Sequence, residues 1–243
     1  MTKHSKVRAL TAALTLAVLV LSGMPASAGG GNPLDSVGVE HNVYLACLMR
    51  AGGDPDVSPL QRVVEECGFD PGTSTEEFVA TYSPLVEVDP NQTVVERMSP
   101  YREMYTSYQF SYFTRIDQVI AKAQSTAAAD AMFAQLETEA IARLTTRTAA
   151  EQSIFAALSV ARHSLQYWSQ VTGITGVAVQ KAKPGGKLGQ KVGRMGKFWQ
   201  VLLVVGADLA GAAGGTAIGG PVVGAAAAGG CSAGAAAVLT HNP

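Results

Sequence analysis

Hydrophobic residues in the middle of the chain recur with the spacing of α-helices. In the clearest stretch, Ile154, Leu158, Ala161, Leu165 and Trp168 follow one another at intervals of three or four residues, which places them on one face of a helix. No stretch has the sustained alternation that predicts a strand, and the only β-rich piece, 85–88, is four residues long. The pattern therefore predicts an all-α protein.

Residues that start and stop helices divide this region into six predicted helices. Ser, Thr and Asp favour helix starts, whereas Gly and Pro favour helix ends. The predicted helices run from Asp35 to about Arg50, from Ser58-Pro59 to Gly68, from a Ser74–Glu77 capping box to a point before Pro84, from Ser99-Pro100 to about Gln124, from Ser125 to about Leu144, and from Thr146 or Arg147 to about Val171. Short connections favour a helical bundle over residues 29–173.

The last fifth of the chain, 198–243, has small and apolar residues on every side of its predicted helices. From Phe198 to Leu239 the only charged side chain is Asp208, and residues 206–237 include 10 Gly and 13 Ala. Glycines four residues apart form a groove in which another helix can approach closely, a glycine zipper. The predicted zipper residues are Gly211, Gly215, Gly219, Gly220, Gly224, Gly230 and Gly234.

This hydrophobic tail is expected to form either a helical hairpin or a segment that is disordered in water. In the hairpin, helices at 198–213 and 222–239 are joined by a turn at 214–221. Both helices are short for a comfortable membrane span of about 20 residues, so insertion as a pair, or after self-association, fits them better than independent spans.

The first 28 residues have the pattern of a secretory signal peptide. Basic residues precede an apolar run at 9–21, and Ala26-Ser27-Ala28 supplies the small residues of a cleavage site. Met24 stands where a lipidated cysteine would follow Leu21-Ser22-Gly23. We therefore expect an exported, bacterial protein that is not an N-terminal lipoprotein.

Charge is distributed unevenly along the expected mature chain. Three of the 18 basic residues lie in the signal peptide, which leaves 15 against 19 acidic residues. This acidic balance argues against a nucleic-acid partner, because phosphates require a basic surface. Residues 174–197 are instead basic and Gly-rich, as is typical of a flexible linker. The residues expected to contact lipid headgroups are Lys187, Lys191, Arg194, Lys197 and Trp199, although a solvated hinge would have the same composition.

Three cysteines are present, in a chain expected to reach an oxidising compartment. Cys47 and Cys67 flank a turn-rich segment between two predicted helices, which favours a disulfide between antiparallel helices. Cys231 is left over among small residues, and it is either a buried apolar residue, which we favour, or an intermolecular bridge.

Polar residues are dense at the start of the expected mature chain, where Asn32, Asp35, His41 and Asn42 lie close together. A carboxylate, an imidazole and an amide in proximity could form a small metal or acid/base site, with Glu65 or Glu66 as a further ligand. We favour a structural interpretation, in which Asp35 caps the helix, Gly38 permits close packing, and His41 and Asn42 satisfy backbone groups. We expect no bound metal and no cofactor, because metal ligation here would need a third ligand from elsewhere and no CxxC or HxxxH pair accompanies the three cysteines.

Two further patterns have a functional and a structural interpretation. Tyr101, Tyr105, Tyr108 and Tyr112 form a helical stripe that could stack on sugars or lie at a membrane interface, but a bundle core explains the same spacing better. Ser153, Ser159, Ser164 and His163 could indicate nucleophilic catalysis. No GxSxG, SxxK or HExxH motif accompanies them in the expected mature domain, so no catalytic residue is assigned.

The polar start resembles a group of uncharacterised bacterial exported proteins. The resemblance rests on an Asn-Pro-x-Asp-x-x-Gly-x-x-His-Asn pattern at 32–42, on Ser164-Leu165-Gln166-Tyr167-Trp168, and on the Gly/Ala-rich tail. It implies a helical exported protein and no activity. The tail alone is similar in composition to the glycine-zipper segments of class II bacteriocins, which act on membranes.

We therefore expect an exported protein whose glycine-zipper tail binds or enters membranes, in the manner of a bacteriocin. The expected partners are membrane lipids and further copies of the chain. One alternative is a non-enzymatic extracytoplasmic binding or surface protein whose tail mediates self-association. A small hydrolase or metal site around His41 is the third hypothesis.

Overall fold

A computed structural model describes residues 31–51, 56–86, 89, 92–173 and 196–241, with side chains described as far as residue 237. The predicted signal peptide and most of the predicted linker lie outside these ranges. Within the described residues the chain is helical and contains no strand, so the all-α prediction is confirmed. The helices are α1 (Asp35–Ala51), α2 (Pro59–Glu65), α3 (Thr75–Val86), α4 (Val94–Met98), α5 (Ser107–Lys122), α6 (Thr126–Arg143), α7 (Ala149–Thr172), α8 (Lys197–Gly219) and α9 (Pro221–His241), with a 3-10 helix at Ser99–Met104.

The long helix expected over 99–124 is divided into two elements. Thr106 forms a capping box with Gln109 and starts α5, while Tyr105 has extended backbone after the 3-10 helix. Because a capping box satisfies free N–H groups at a helix start, it favours a new helix here. The tyrosine stripe is therefore not continuous on one helix.

Two other boundaries differ from the sequence-based expectation. The third helix continues through Pro84 to Val86, so it includes the first two residues of the β-rich piece at 85–88. These residues, Leu85 and Val86, are buried at the end of the helix. The last bundle helix begins after Thr148, whose capping box with Glu151 was not recognised in the sequence. A third capping box, between Thr93 and Glu96, starts the unpredicted α4.

The expected hairpin is present as α8 and α9, but its turn is much shorter than 214–221. Helix α8 continues to Gly219, and the chain reverses at Gly220, which has a φ of +87°. Pro221 then occupies the first turn of α9, where its missing N–H needs no partner. Glycine is favoured at position 220 because other residues rarely adopt this left-handed backbone conformation.

The hairpin lies inside the bundle, so the expected division between a helical domain and a tail differs from the structure. Helix α8 packs against α7, α4, α3 and α5, whereas α9 packs against α1, α2, α3 and α7. Apolar residues of both hairpin helices share one hydrophobic cluster with residues of α1–α7. The reason is composition: a helix without a polar face can be shielded from water only by being surrounded.

Candidate functional site

The two hairpin helices approach each other at backbone distance where glycines face the partner helix. A Cβ atom added at Gly211 would lie 2.6 Å from Cys231 Sγ and 3.0 Å from the Cα atom of Ala228. A Cβ atom at Gly215 would lie 2.9 Å from the Cα atom of Gly224. These distances are too short for a side chain, so α8 and α9 can pack this closely only because the glycines are present.

The remaining glycines of the predicted zipper have other surroundings. Gly219 contacts Val223 next to the turn, and Gly220 forms the turn itself. Gly230 faces Leu60 of α2, whereas a Cβ atom at Gly234 would meet nothing within 4 Å. The glycines of the predicted zipper therefore lie in four different environments, which are the α8–α9 interface, the turn, the contact with α2 and open space.

Helix α8 is the one helix among the described residues that is long and apolar enough to cross a membrane, judged by length and composition. Its most apolar stretch is 94 % buried inside the protein. Core helices of soluble proteins are buried in the same way, so length, composition and burial do not distinguish a core helix from a membrane span. The polar contacts of α8 bear on the same question.

Asp208 is the only charged residue in this apolar stretch, and it is fully buried. Its Oδ2 atom accepts hydrogen bonds from Ser164 Oγ of α7 at 2.5 Å and from Ser232 Oγ of α9 at 2.8 Å. Ser232 in turn accepts a hydrogen bond from Trp168 Nε1 at 3.1 Å. The Oδ1 atom has no hydrogen-bond partner among the described residues. A buried carboxylate is costly unless it is hydrogen-bonded and paired, so these donors are needed.

His41 of α1 lies beside this buried network, but its Nε2 atom has no hydrogen-bond partner among the described residues. The side chain is fully buried, and its Nε2 atom lies 3.5 Å from Asp208 Oδ2. The Nδ1 atom lies 2.9 Å from Asn42 Oδ1, and Asn42 Nδ2 donates to the backbone carbonyl of His163 at 3.0 Å. We call His41, Ser164, Trp168, Asp208 and Ser232 the polar centre; it connects α1, α7, α8 and α9.

Two more polar residues lie near the polar centre without a hydrogen bond to it. Arg97 of α4 is buried, and burial lowers the pKa of its guanidinium while Cys231 and Asp208 act in the opposite direction. Its Nη2 atom donates to the carbonyl of Asp89 at 2.8 Å, but Nε and Nη1 have no partner among the described residues. Cys231 is buried and donates to the carbonyl of Leu85 at 3.3 Å.

Asn32 and Asp35 of the predicted polar site, unlike Asn42, do not contact His41 but attach the residues at and just before the start of α1 to α6 and α7. Asn32 Nδ2 donates to Glu137 Oε1 at 2.7 Å and to the carbonyl of Phe155 at 2.9 Å. Asp35 Oδ1 lies 3.0 Å from His163 Nε2 at the surface. A Cβ atom at Gly38 would lie 2.8 Å from the carbonyl oxygen of Ser159, so this glycine permits α1 and α7 to pack closely.

The polar centre does not have the geometry of a catalytic triad. Nucleophilic catalysis requires a serine that contacts a histidine oriented by a carboxylate, whereas Ser164 and His41 both face the same oxygen of Asp208. No group of three or more His, Cys, Asp or Glu residues that could hold a metal ion occurs in the part of the chain that the structure describes. Glu65 and Glu66, considered above as metal ligands, accept hydrogen bonds from Gln61 and Arg62.

The serine and tyrosine patterns have structural partners. Ser153 Oγ lies 2.8 Å from the hydroxyl of Tyr105, and burial raises the pKa of this tyrosine to about 12. Ser159 Oγ donates to the carbonyl of Asp35 at 2.9 Å. Tyr112 is also buried, but Tyr108 is exposed, so the stripe is only partly in the core.

Cys47 and Cys67 form the predicted disulfide, with an S–S distance of 2.06 Å, and it joins α1 to the residues after α2. Of the predicted lipid-contact residues, Lys187, Lys191 and Arg194 lie outside the described residues. Lys197 is exposed at the first position of α8. Trp199 lines a largely apolar cavity of about 320 Å³ between α5 and α8.

Sequence reasoning did not identify the partners of Asp208, although it singled out His41 and Ser164 in other patterns. A single carboxylate in an apolar segment indicates that a buried partner exists, but nothing in the spacing identifies His41, which is 167 positions away. No sequence pattern singled out Ser232 or Arg97.

No known protein family, curated protein or solved structure matches this chain. The hairpin and the polar centre are therefore the features of the molecule that can indicate its function.

Proposed function

We propose that the chain is an exported, membrane-active protein that keeps the α8–α9 hairpin inside a helical coat and transfers it to a lipid bilayer. The coat is α1–α7. The observation that carries the proposal is an apolar helix pair in which Asp208 is the only charged side chain after Lys197 at its start. Asp208 is buried and hydrogen-bonded inside the bundle. A bacteriocin-like role in antagonism between bacteria is consistent with this property.

The dimensions of the hairpin support insertion as a pair of spans. Helices α8 and α9 have 23 and 21 residues, and a span requires about 20. All backbone hydrogen bonds of a helix are made within it, so the pair could exchange the protein interior for lipid without leaving backbone groups unsatisfied. Lys197 and Trp199 at the start of α8 suit the interface between lipid and water.

Close packing at Gly211, Gly215 and Gly224 supports transfer of the hairpin as one unit. These contacts join α8 to α9 and not the hairpin to its coat, so they can persist in lipid, where small residues favour helix association. The same contacts disfavour the alternative of self-association by the folded chain, because these glycines already face a helix of their own molecule. The full burial of His41 disfavours an enzyme acting through that residue.

A reversible cross-link between the hairpin and the coat tests the proposal. A Cβ atom at Gly229 of α9 would lie 3.1 Å from the Cβ atom of Tyr44 in α1, near the separation of about 3.5–4.5 Å that a disulfide requires. We would introduce Tyr44→Cys and Gly229→Cys together in a Cys231→Ala background. Dye release from vesicles of phosphatidylethanolamine and phosphatidylglycerol is the readout.

We expect the oxidised cross-linked protein to release no dye and the reduced protein to release it. The Cys231→Ala background, assayed oxidised and reduced, controls for loss of the native disulfide. Equal release by the oxidised and reduced cross-linked protein would exclude the hairpin as the membrane-active element. Absence of release by the background protein would overturn the proposal as a whole.

A further inference from the structure

We infer that the solvent-facing side of α1 binds a second copy of this chain, with the two α1 helices antiparallel about a two-fold axis near Val43. We call the side chains of Val39, Val43, Ala46 and Arg50 of α1, together with Tyr167 of α7, the outer face. The outer face contains none of the hairpin glycines, so this association is independent of self-association through the tail. It does not depend on the proposed membrane activity either.

The first observation is that α1 has apolar residues on two opposite sides. Its inner side is buried against the bundle and includes Leu45 and Leu48. On the opposite side Val39 and Val43 are 48 % and 60 % exposed. They are followed by Ala46 and Arg50 at intervals of three and four residues, which places all four on one side of the helix. A coat helix needs only one apolar side, so the second is free to pack against a partner.

The second observation is that α7 widens this apolar strip into an open groove. Side chains of α1 and Tyr167 of α7 line a groove of about 460 Å³. Val171, one turn beyond Tyr167 on α7, is also 57 % exposed. Adjacent exposed apolar side chains, unlike single ones scattered over a surface, are typical of a site where another protein packs.

The third observation is that opposite charges lie at the two ends of α1. Asp35 is at the start of the helix, and its carboxylate contacts His163 through one oxygen while the side chain is 62 % exposed. Arg50 is in the last turn and is exposed, without an ion pair among the described residues. A partner helix therefore fits best if it places a basic group beside Asp35 and an acidic group beside Arg50.

Helix α1 of a second copy meets this requirement when it runs antiparallel. With Val43 facing Val43 of the second copy, position 50 lies opposite position 36, so each Arg50 comes beside the Asp35 end of the other helix. Both ends then have opposite charges in contact, whereas a parallel alignment would bring like charges together. The same surface on both copies is the arrangement that a two-fold axis requires. With α7 of each copy beside the groove, four helices pack together.

The size of the outer face indicates a weak dimer. Helix α1 has 17 residues and is therefore about 25 Å long. One helix pair with flanking contacts from α7 lies at the lower end of the range of about 1,200–2,000 Å² that specific interfaces bury. We expect a dissociation constant of about 10–100 µM, typical of a transient complex.

Sedimentation of the full chain in solution, without lipid, tests the inference. Over a range of about 1–200 µM, which spans the expected dissociation constant, the wild-type protein should convert from monomer to dimer. Val43→Glu places two carboxylates beside each other at the two-fold axis and should remain monomeric. Ile141→Glu, which changes an exposed apolar residue of α6, is the matched control and should dimerise as the wild-type protein does. A wild-type protein that is monomeric throughout, or equal dimerisation by Val43→Glu, overturns the inference.

Exchanging the charges tests the antiparallel alignment. Asp35→Lys brings two basic groups together at each end of the dimer, and Arg50→Glu brings two acidic groups together, so each variant alone should bind its own copies about tenfold more weakly. An equimolar mixture of the two variants should form a heterodimer about as strongly as the wild-type dimer, because each end again has opposite charges. Circular dichroism confirms that each variant is folded. If the mixture associates no better than the separate variants, α1 does not pair antiparallel with itself.

Discussion

The buried hairpin α8–α9 and the outer pair α5–α6 are both helical, but they are built in opposite ways. On α5, Phe113 and Ile116 face the core, while Arg115 pairs with Glu139 of α6 near the surface. On α8, every residue from 201 to 217 is buried. An amphipathic helix packs only its apolar face against the core, whereas a helix without a polar face lies at the centre of the core.

The comparison also separates two kinds of charged contact. Arg115 and Glu139 are about one-third exposed, so water screens their attraction. Asp208 is fully buried and depends on partners from three other helices. Removing one member of a buried network leaves the others without compensation. Substitutions in the hairpin should therefore affect the free energy of unfolding much more than equivalent substitutions in the outer pair.

The largest expected effect is that of removing the hairpin carboxylate. Asp208→Ala leaves the buried hydroxyls of Ser164 and Ser232 without their common acceptor. Each such loss costs about 1–3 kcal/mol, so the substitution should lower the free energy of unfolding by about 3–5 kcal/mol. The matched change in the outer pair is Asp130→Ala, which removes a half-exposed partner of Arg162 and should cost less than about 1 kcal/mol. Urea denaturation measures both. Equal losses would contradict the difference between the two regions.

The contrast explains how much could be predicted from the sequence. The amphipathic helices could be predicted, because residues such as Ile154 and Leu165 recur with helical spacing. Both residues are buried in the structure. The disulfide between Cys47 and Cys67 was also predicted. The uniform composition of the hairpin, in contrast, gives no direction to its packing. It was therefore expected as a tail, although it lies within the core.

The candidate site was less predictable for a related reason. His41 and Asp208 were each noticed, but their contact joins α1 to α8 across most of the chain. Local periodicity contains no information about contacts at this separation. The glycine spacing indicated close helix packing, but it did not show that Gly211 and Gly215 face α9 of the same molecule.

The next effect concerns the coat, where the disulfide connects α1 to the residues after α2. Replacing both Cys47 and Cys67 by Ala should lower the free energy of unfolding by about 3 kcal/mol, because a loop of this length gains conformational entropy when it is no longer closed. Thermal denaturation with and without reductant measures the effect. If reduction destabilises the double-alanine variant as much as the wild-type protein, the effect does not arise from this disulfide.

A smaller loss is expected from a bulky side chain between the hairpin helices. In Gly215→Leu the first added atom would already lie 2.9 Å from the Cα atom of Gly224, so the helices must separate. The expected cost is about 1–3 kcal/mol, typical of overpacking. Gly234→Leu is the matched control, since no atom lies within 4 Å of an added Cβ there. Comparable destabilisation by both variants would show that glycine content, and not close approach, matters.

The smallest effect concerns the outer pair and depends on pH. Hydrogen bonds from Arg115, together with one from Tyr108, lower the pKa of Glu139. A carboxylate with a lowered pKa contributes stability at neutral pH that is lost as pH falls through that value. Because Glu139 is more than one-third exposed, Glu139→Gln should cost less than about 1 kcal/mol at pH 7.

The exposed Glu103, changed to Gln, serves as the control. Urea denaturation at pH 7 and pH 3, at low salt and in 1 M NaCl, should show that the loss disappears in acid and decreases in salt, since mobile ions screen surface charges. A loss that persists in acid or is insensitive to salt would mean that the pair is not screened by water, and the outer helices would then differ less from the hairpin than their exposure indicates.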